Sequence, residues 1–207
     1  MNKISRILLA TNNPHKVFEI KSVLENIPQI GLYSLSDFGI FLEPDENGKT
    51  LEDNALIKAK AVYDILKLPS LSDDTGLFVD FLHGEPGVYS ARYAGENATY
   101  EENCIKLLAN LNNTADEKRT AKFVSVVCFY VNASEYYFFE GVCPGKIIKE
   151  KRGEKGFGYD PVFVPDAMNK TFAELGDDQK NDISHRGIAL KKFRSFSDSY
   201  FLDSAKF

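Results

Sequence analysis

From Ile4 to Ala10 the sequence is largely apolar and rich in branched side chains, and it stops at the polar turn Thr11-Asn12-Asn13 ahead of Pro14. A run of this kind reads as a buried strand. Asn13 suits a helix cap and Pro14 a first helical position, and Val17, Ile20, Leu24 and Ile27 follow at helical spacing. A strand that passes through a polar turn into a helix leaves backbone N–H groups exposed at that turn.

The alternation of strand and helix continues. Gly39 to Gly48 reads as a strand and then the loop Pro44-Asp45-Glu46-Asn47-Gly48. Thr50, with Asp53 as its third-position partner, predicts a second helix with Ala55, Ala59, Val62 and Leu66 on one face. Leu68 to Leu71 predicts a short strand ending in the acidic turn Ser72-Asp73-Asp74-Thr75-Gly76, and Leu77 to Asp80 predicts another strand. Gly84, Pro86 and Gly87 force a loop. Thr99-Tyr100-Glu101-Glu102 is a full capping box opening a third helix, buried through Cys104, Leu107, Leu108 and Leu111. Ala121–Val131 and Tyr136–Glu140 predict a hairpin across Asn132-Ala133-Ser134-Glu135, and Gly145 to Lys149 extends the sheet. A charged, glycine-rich loop, Glu150 to Gly158, precedes a strand over Pro161 to Val164, and Ser184 is expected to cap a last helix. Interleaved elements of this kind predict an α/β fold with a mixed sheet.

Composition narrows the function classes. The 207 residues include 43% apolar side chains, enough for a full core without a stapling metal or disulfide. A net charge of −5 argues against a general nucleic-acid coat, which would show a basic stripe, but not against a small anion held by local charge. The three cysteines, Cys104, Cys128 and Cys143, are scattered and read as buried thiols rather than a disulfide framework. The segment Met1 to Arg6 lacks the pattern of a signal peptide, and the longest apolar run, Phe123 to Val131, is too short to span a bilayer. A soluble, cytoplasmic protein with no membrane partner is the expectation.

Chemistry is concentrated in separate segments. In Thr11-Asn12-Asn13-Pro14-His15-Lys16 a lysine stands in a helix's first turn, where the dipole disfavours it unless an anion sits alongside. Taken alone, the segment also reads as an ordinary surface turn. Asp45-Glu46 and Asp73-Asp74 are adjacent carboxylates whose repulsion a hard cation such as Mg²⁺ would relieve. Solvated loop charge is the plainer reading of either pair, although Leu71 and Leu77 limit the exposure of the second. Gly156-Phe157-Gly158-Tyr159-Asp160 can present flat rings to a nucleobase, or form a tight turn with core aromatics. Lys180-Asn181-Asp182-Ile183-Ser184-His185-Arg186-Gly187 gathers donors at a helix start, and also reads as a solvated cap.

In order and spacing, these blocks resemble the inosine triphosphate pyrophosphatase family, the non-canonical purine triphosphatases, from Ile7 to about Leu190. The likeness rests on Leu9-Ala10-Thr11-Asn12-Asn13 with Lys16 and Glu19, on Thr50 to Ala55 with Lys58-Ala59, and on Asp73-Asp74-Thr75-Gly76-Leu77. It continues through Pro86 to Tyr93, Gly156 to Pro161 and Ser184 to Gly187. The resemblance implies one domain over residues 1–207, an elongated mixed sheet with helices in two lobes around a substrate cleft, usually as a homodimer. It implies hydrolysis of ITP, dITP and XTP to monophosphate and pyrophosphate with Mg²⁺, and no nucleic-acid partner. Thr11 through Lys16 correspond to the triphosphate turn, Asp74 to the catalytic acid and metal ligand, and Asp45 and Glu46 to the carboxylates beside the metal. Thr75 matches a substrate-contacting residue that is commonly Ser, and Phe157, Gly158, Tyr159, Asp160, Lys180, His185 and Arg186 match the base- and phosphate-contacting set. Asn12 and His15 stand where many members have Gly. Asp45 replaces the usual Glu, which leaves open whether it or Glu46 touches the metal.

Overall fold

The computed structural model describes residues 5–25, 27 and 30–201, so Ile4 of the first expected strand lies outside the described residues. In chain order the elements are β1 (Ser5–Leu9), α1 (Pro14–Val23), β2 (Ile30–Ser34), α2 (Leu51–Leu66), β3 (Ser70–Val79), β4 (Pro86–Gly87), α3 (Tyr100–Asn110), β5 (Thr120–Asn132), β6 (Glu135–Ile147), β7 (Phe163–Pro165), α4 (Asp177–Ile183) and α5 (His185–Tyr200). The strands make a seven-stranded sheet in the order β2-β1-β3-β5-β6-β7, with β4 paired to β3. β1 runs parallel to β2 and β3, while β4 is antiparallel to β3 and β7 to β6. The sheet is therefore mixed, as expected. No helix among the described residues is long and apolar enough to cross a membrane.

The chain divides into two compact units, one holding the described residues up to Asp74 with Ser125–Gly141 and those from Arg186 onward, the other Thr75–Val124 and Val142–His185. In the first unit, Leu8 lies opposite Ser70 and Leu9 opposite Leu71. Strand side chains alternate between faces, and here the alternation sorts two cores. Ile7, Leu9 and Leu71 pack with Ile20 of α1, with Leu24 just past its end, and with Ala189, Leu190 and Phe193 of α5. Leu8 and Ala10 pack with Leu35 and with Val62 of α2. On that second face Ser70 Oγ donates to the Ala59 carbonyl at 2.7 Å and Ser72 Oγ to the Ala55 carbonyl at 2.6 Å, so β3 is bonded to α2. The second unit is built on Leu77, Val79, Leu107, Phe123, Phe163 and Phe172.

The helix starts follow their expected chemistry. The Asn13 side chain accepts from the N–H groups of His15 and Lys16, with Pro14 in the first turn. Thr50 with Asp53 and Thr99 with Glu102 form reciprocal capping boxes. β5 and β6 are joined by Ala133 and Ser134, a connection short enough only for an antiparallel pair. Asn132 Oδ1 holds that turn by accepting from the Ser134 N–H and hydroxyl.

Other expectations are corrected. No strand forms over 39–48; the strand is Ile30–Ser34, and the later segment is irregular loop. Asp73 and Asp74 are not in a turn between strands but inside β3, which continues unbroken through Leu77 to Val79. The strand expected over Pro161–Val164 is Phe163–Pro165, preceded by a short 3₁₀ turn. α4 was not anticipated: it has an acidic first turn and no apolar periodicity, and its C-terminal cap residue Ser184 directly precedes the last helix, where that helix was expected to start.

Candidate active site

In the first unit, β1 delivers the chain into the turn that starts α1. Thr11 Oγ1 accepts from the Asn13 N–H at 3.1 Å, and Asn12 Nδ2 donates to the Leu42 carbonyl at 2.9 Å. These bonds fix the turn in which Pro14 and the exposed His15 open the helix. Lys16, one position on, sends its ammonium inward to within 3.1 Å of Asp73 Oδ2.

The strand period then separates the two acids. Asp74 faces α2, where Lys58 Nζ lies 2.5 Å from its Oδ1 and Asn54 Nδ2 lies 3.4 Å from its Oδ2. The same Lys58 ammonium is 3.4 Å from Glu46 Oε2, so it joins the loop carboxylate to the strand carboxylate. Burial by itself would lower the Lys58 pKa, but Asp74, Glu46 and Asp73 outweigh it and raise it. Glu46 is pushed up, first by burial and then by the Asp74 charge, against the pull of Lys58. Asn54 also ties the loop down, its Oδ1 accepting from the Gly48 N–H at 2.9 Å. Gly48 tolerates no side chain there, because a Cβ would fall 2.6 Å from that same Oδ1.

Asp73 faces α1 and α5. Its Oδ2 accepts from Arg186 Nε at 3.1 Å and Nη2 at 2.9 Å and pairs with Lys16. Arg186 Nη1 in turn bonds Glu19 Oε2 at 2.5 Å. Burial would raise the Asp73 pKa, yet Lys16, Arg186 and Lys58 hold it well below the usual carboxylate range. The same pairing raises Arg186 despite its burial. Lys16 is lowered, chiefly by burial, with Asp73 opposing.

The second unit holds another buried ion pair. Asp160 Oδ2 lies 2.6 Å from Lys180 Nζ and accepts from the Phe157 N–H at 2.8 Å. That oxygen closes the turn begun at Gly156, where φ is +72° and a Cβ would meet it at 2.0 Å, so only glycine fits. The Lys180 ammonium lies 5.0 Å from the Phe157 ring centre, and Tyr100 packs at 5.8 Å on the same ring. Gly158 carries the chain at φ +61° to the buried Tyr159, whose hydroxyl donates to the Ser90 carbonyl at 2.9 Å. His185 is buried, its ring stacked 4.5 Å from Phe123. Thr75, the next residue after Asp74, is half-buried on β3.

The site residues expected from the sequence thus fall into sets. The first unit gathers Thr11 to Lys16, Glu46, Asp74 and Arg186, and the second gathers Phe157 to Asp160, Lys180 and His185. Asp45 is exposed, and among the described residues no group of three His, Cys, Asp or Glu side chains could hold a metal ion by itself. The sequence assigns no role to Lys58, Asn54 or Glu19, and reads Asp73 only as the neighbour of Asp74 in an acidic pair beside a cation, not as the partner of Arg186 and Lys16. The signal for Lys58 and Asn54 was present: both lie on the apolar stripe of α2, where an unexplained polar side chain points to a buried partner. The arrangement can hold phosphate oxygens with Lys16 and the start of α1, and can present carboxylate oxygens to a hard cation or to water.

The Ham1 family model matches residues 7–196. The chain is similar to the dITP/XTP pyrophosphatase of Thermoanaerobacter pseudethanolicus, 47% identical over 92% of this chain and 96% of that one. It is also similar to that of Caldanaerobacter subterraneus subsp. tengcongensis, 48% identical over 92% and 95%. Among solved structures, a HAM1 protein from Coxiella burnetii superposes with a TM-score of 0.86 at 37% identity, over 95% of this chain and 100% of that chain. The Ham1 protein of Staphylococcus aureus gives 0.83 at 39% identity over the same shares.

Proposed function

The chain belongs to the Ham1 family, and from that premise we propose that it hydrolyses non-canonical purine nucleoside triphosphates, dITP and XTP among them, to the monophosphate and pyrophosphate. The observation that carries the chemistry is the Lys58 ammonium 2.5 Å from Asp74 and 3.4 Å from Glu46, a meeting of two carboxylates at one cation. The family match extends over residues of both compact units, which supports reading residues 1–207 as one pyrophosphatase domain with two lobes.

Carboxylate oxygens are the donors Mg²⁺ takes, and it is commonly held by one or two carboxylates with phosphates and waters completing its shell. Glu46 and Asp74 fit that donor set, with Asp45 exposed beside them. When bound, the ion neutralises charge on the phosphate oxygens. The chain's own groups supply the rest. Asp74, oriented by Lys58 and Asn54, directs a water at the α-phosphorus and takes its proton at a carboxylate oxygen. Lys16 and the N–H groups at the start of α1 neutralise the departing pyrophosphate. Phe157 stacks on the base, while Lys180, held by Asp160, and His185 present donors. A purine with a six-keto oxygen accepts from such donors, whereas adenine's amino group would face donor with donor. A homodimer in the cytoplasm is part of the same reading.

The test is pyrophosphate release from dITP, XTP, dATP, dGTP and dTTP with Mg²⁺ and then with chelator. Metal-dependent release from dITP and XTP, with Asp74→Asn falling by at least ~100-fold, is expected. Equal efficiency on dATP and dITP would discard the base reading, and a fully active Asp74→Asn would discard Asp74.

A further inference from the structure

Lys16 and Glu19 lie three residues apart on α1, close enough on the helix surface to pair with each other. Each instead engages a different element. Lys16 meets Asp73 Oδ2 on β3 at 3.1 Å, and Glu19 Oε2 meets Arg186 Nη1 on α5 at 2.5 Å. Arg186 then grips the same Asp73 oxygen with Nε at 3.1 Å and Nη2 at 2.9 Å. The contacts form a closed ring that leaves α1 at Lys16, crosses β3 and α5, and returns to α1 at Glu19. Signs alternate around it, and all its members except Lys16 are buried. Lys16 side-chain exposure is 16%, so it is the point at which the ring meets the surroundings.

We propose that Glu19 is a positioning residue for the reaction: acting through Arg186 and Asp73, it fixes the direction in which the Lys16 ammonium faces the phosphates. The guanidinium is a rigid plane, so anchoring Nη1 at Glu19 sets the angle at which Nε and Nη2 hold Asp73 Oδ2. That oxygen is the counter-charge that locates Lys16. Without the Glu19 charge, the Arg186 plane is free to turn, and the error passes through Asp73 to Lys16. The inference rests on the reading of Lys16 as a phosphate-binding group.

The test is a double-mutant cycle on the full chain with Glu19→Gln, which keeps the length and an accepting oxygen, and Lys16→Met. Turnover of dITP and calorimetric affinity for inorganic pyrophosphate are both measured. Glu19→Gln is expected to lower each by roughly tenfold in the wild-type background and by less than about twofold in the Lys16→Met background, the non-additivity of residues acting as one unit. A general packing role would lower both backgrounds equally, and that result, or a Glu19→Gln indistinguishable from wild type, overturns the proposal. If Glu19→Gln fails to fold, Glu19→Asp, which keeps the charge and draws Arg186 back by one methylene, goes through the same cycle. Wild type that turns over dITP beside an unaffected Glu19→Gln sinks the ring and keeps the function. Pyrophosphate affinity that depends on Glu19, in a chain that cleaves no nucleotide, sinks the function and keeps the ring. Wild type that binds no pyrophosphate overturns the ring.

Discussion

Lys58 Nζ lies 2.5 Å from Asp74 Oδ1, and each side chain is 9% exposed, so neither charge is met chiefly by water. Removing the ammonium while keeping the chain length leaves Asp74 and Glu46 facing each other without their shared cation. Lys58→Met is therefore expected to lower turnover of dITP by about 10²–10³-fold, the scale for loss of one preorganised electrostatic partner. Steady-state pyrophosphate release checks this, and turnover within about threefold of wild type would count against the role given to Lys58.

Asp73 gives a prediction about stability and pH. Its carboxyl is held below the usual range by Lys16 and Arg186, which outweigh burial. A depressed folded-state pKa stabilises the fold above the unfolded value, about 4, and that contribution is lost as pH falls below it. Asp73→Asn leaves Lys16 without its counter-charge and the buried Arg186 with Glu19 alone, so a loss of about 3–5 kcal/mol at pH 7 is expected. The gap between wild type and Asp73→Asn should narrow below pH ~4, as wild type gives up the contribution the variant already lacks. Urea unfolding at pH 7, 5 and 3 measures this, and a gap that widened on acidification would contradict the ion-pair account.

Gly156 and Gly158 both have positive φ, at +72° and +61°, but only Gly156 has no room for a Cβ. Gly158→Ala should lose only the left-handed backbone preference, about 1–2 kcal/mol. Gly156→Ala should lose more and also displace Asp160, which closes the turn and holds Lys180. A higher KM for dITP is expected from Gly156→Ala, with little change from Gly158→Ala. Thermal unfolding and kinetics of the two variants decide it, and equal effects would refute the assignment.

The three thiols should be inert in the folded protein. Burial pushes Cys104 up to about 11 and Cys128 and Cys143 up to about 12, so almost no thiolate is present at neutral pH. A chromogenic disulfide reagent at pH 8 is expected to label none of them until denaturant is added. Rapid labelling of any one in the native chain would show that its surroundings are more open than described.

Local chemistry was readable where it was self-contained. Asn13, Thr50 and Thr99 cap the helices they were expected to cap, because each cap bonds backbone within three residues. The acidic pair was misread because a charged dipeptide ordinarily marks a turn. Here β3 is covered on both faces, and each acid is met by a cation distant in sequence: Lys58 is 16 residues from Asp74, and Arg186 is 113 residues from Asp73. Single-sequence patterns carry no record of such partners. The strand Ile30–Ser34 escaped notice because a short segment with Gly31 and a terminal Ser34 shows little alternation. α4 was missed because it is seven residues of charge and amide with one apolar side chain at its end.

The hydroxyls of Ser70 and Ser72 bond the carbonyls of Ala59 and Ala55, so two steps along β3 answer four steps along α2. Two strand residues advance about 6.6 Å, and four helical residues about 6.0 Å. The two repeats are nearly commensurate over this stretch, and the helix and strand mesh like matched racks. One tooth further along the strand stands Asp74, which the side chains of Asn54 and Lys58 reach. Substituting a residue leaves the mesh in step, whereas adding or deleting one between Asn54 and Ala59 shifts every later tooth and takes Lys58 out of reach of Asp74.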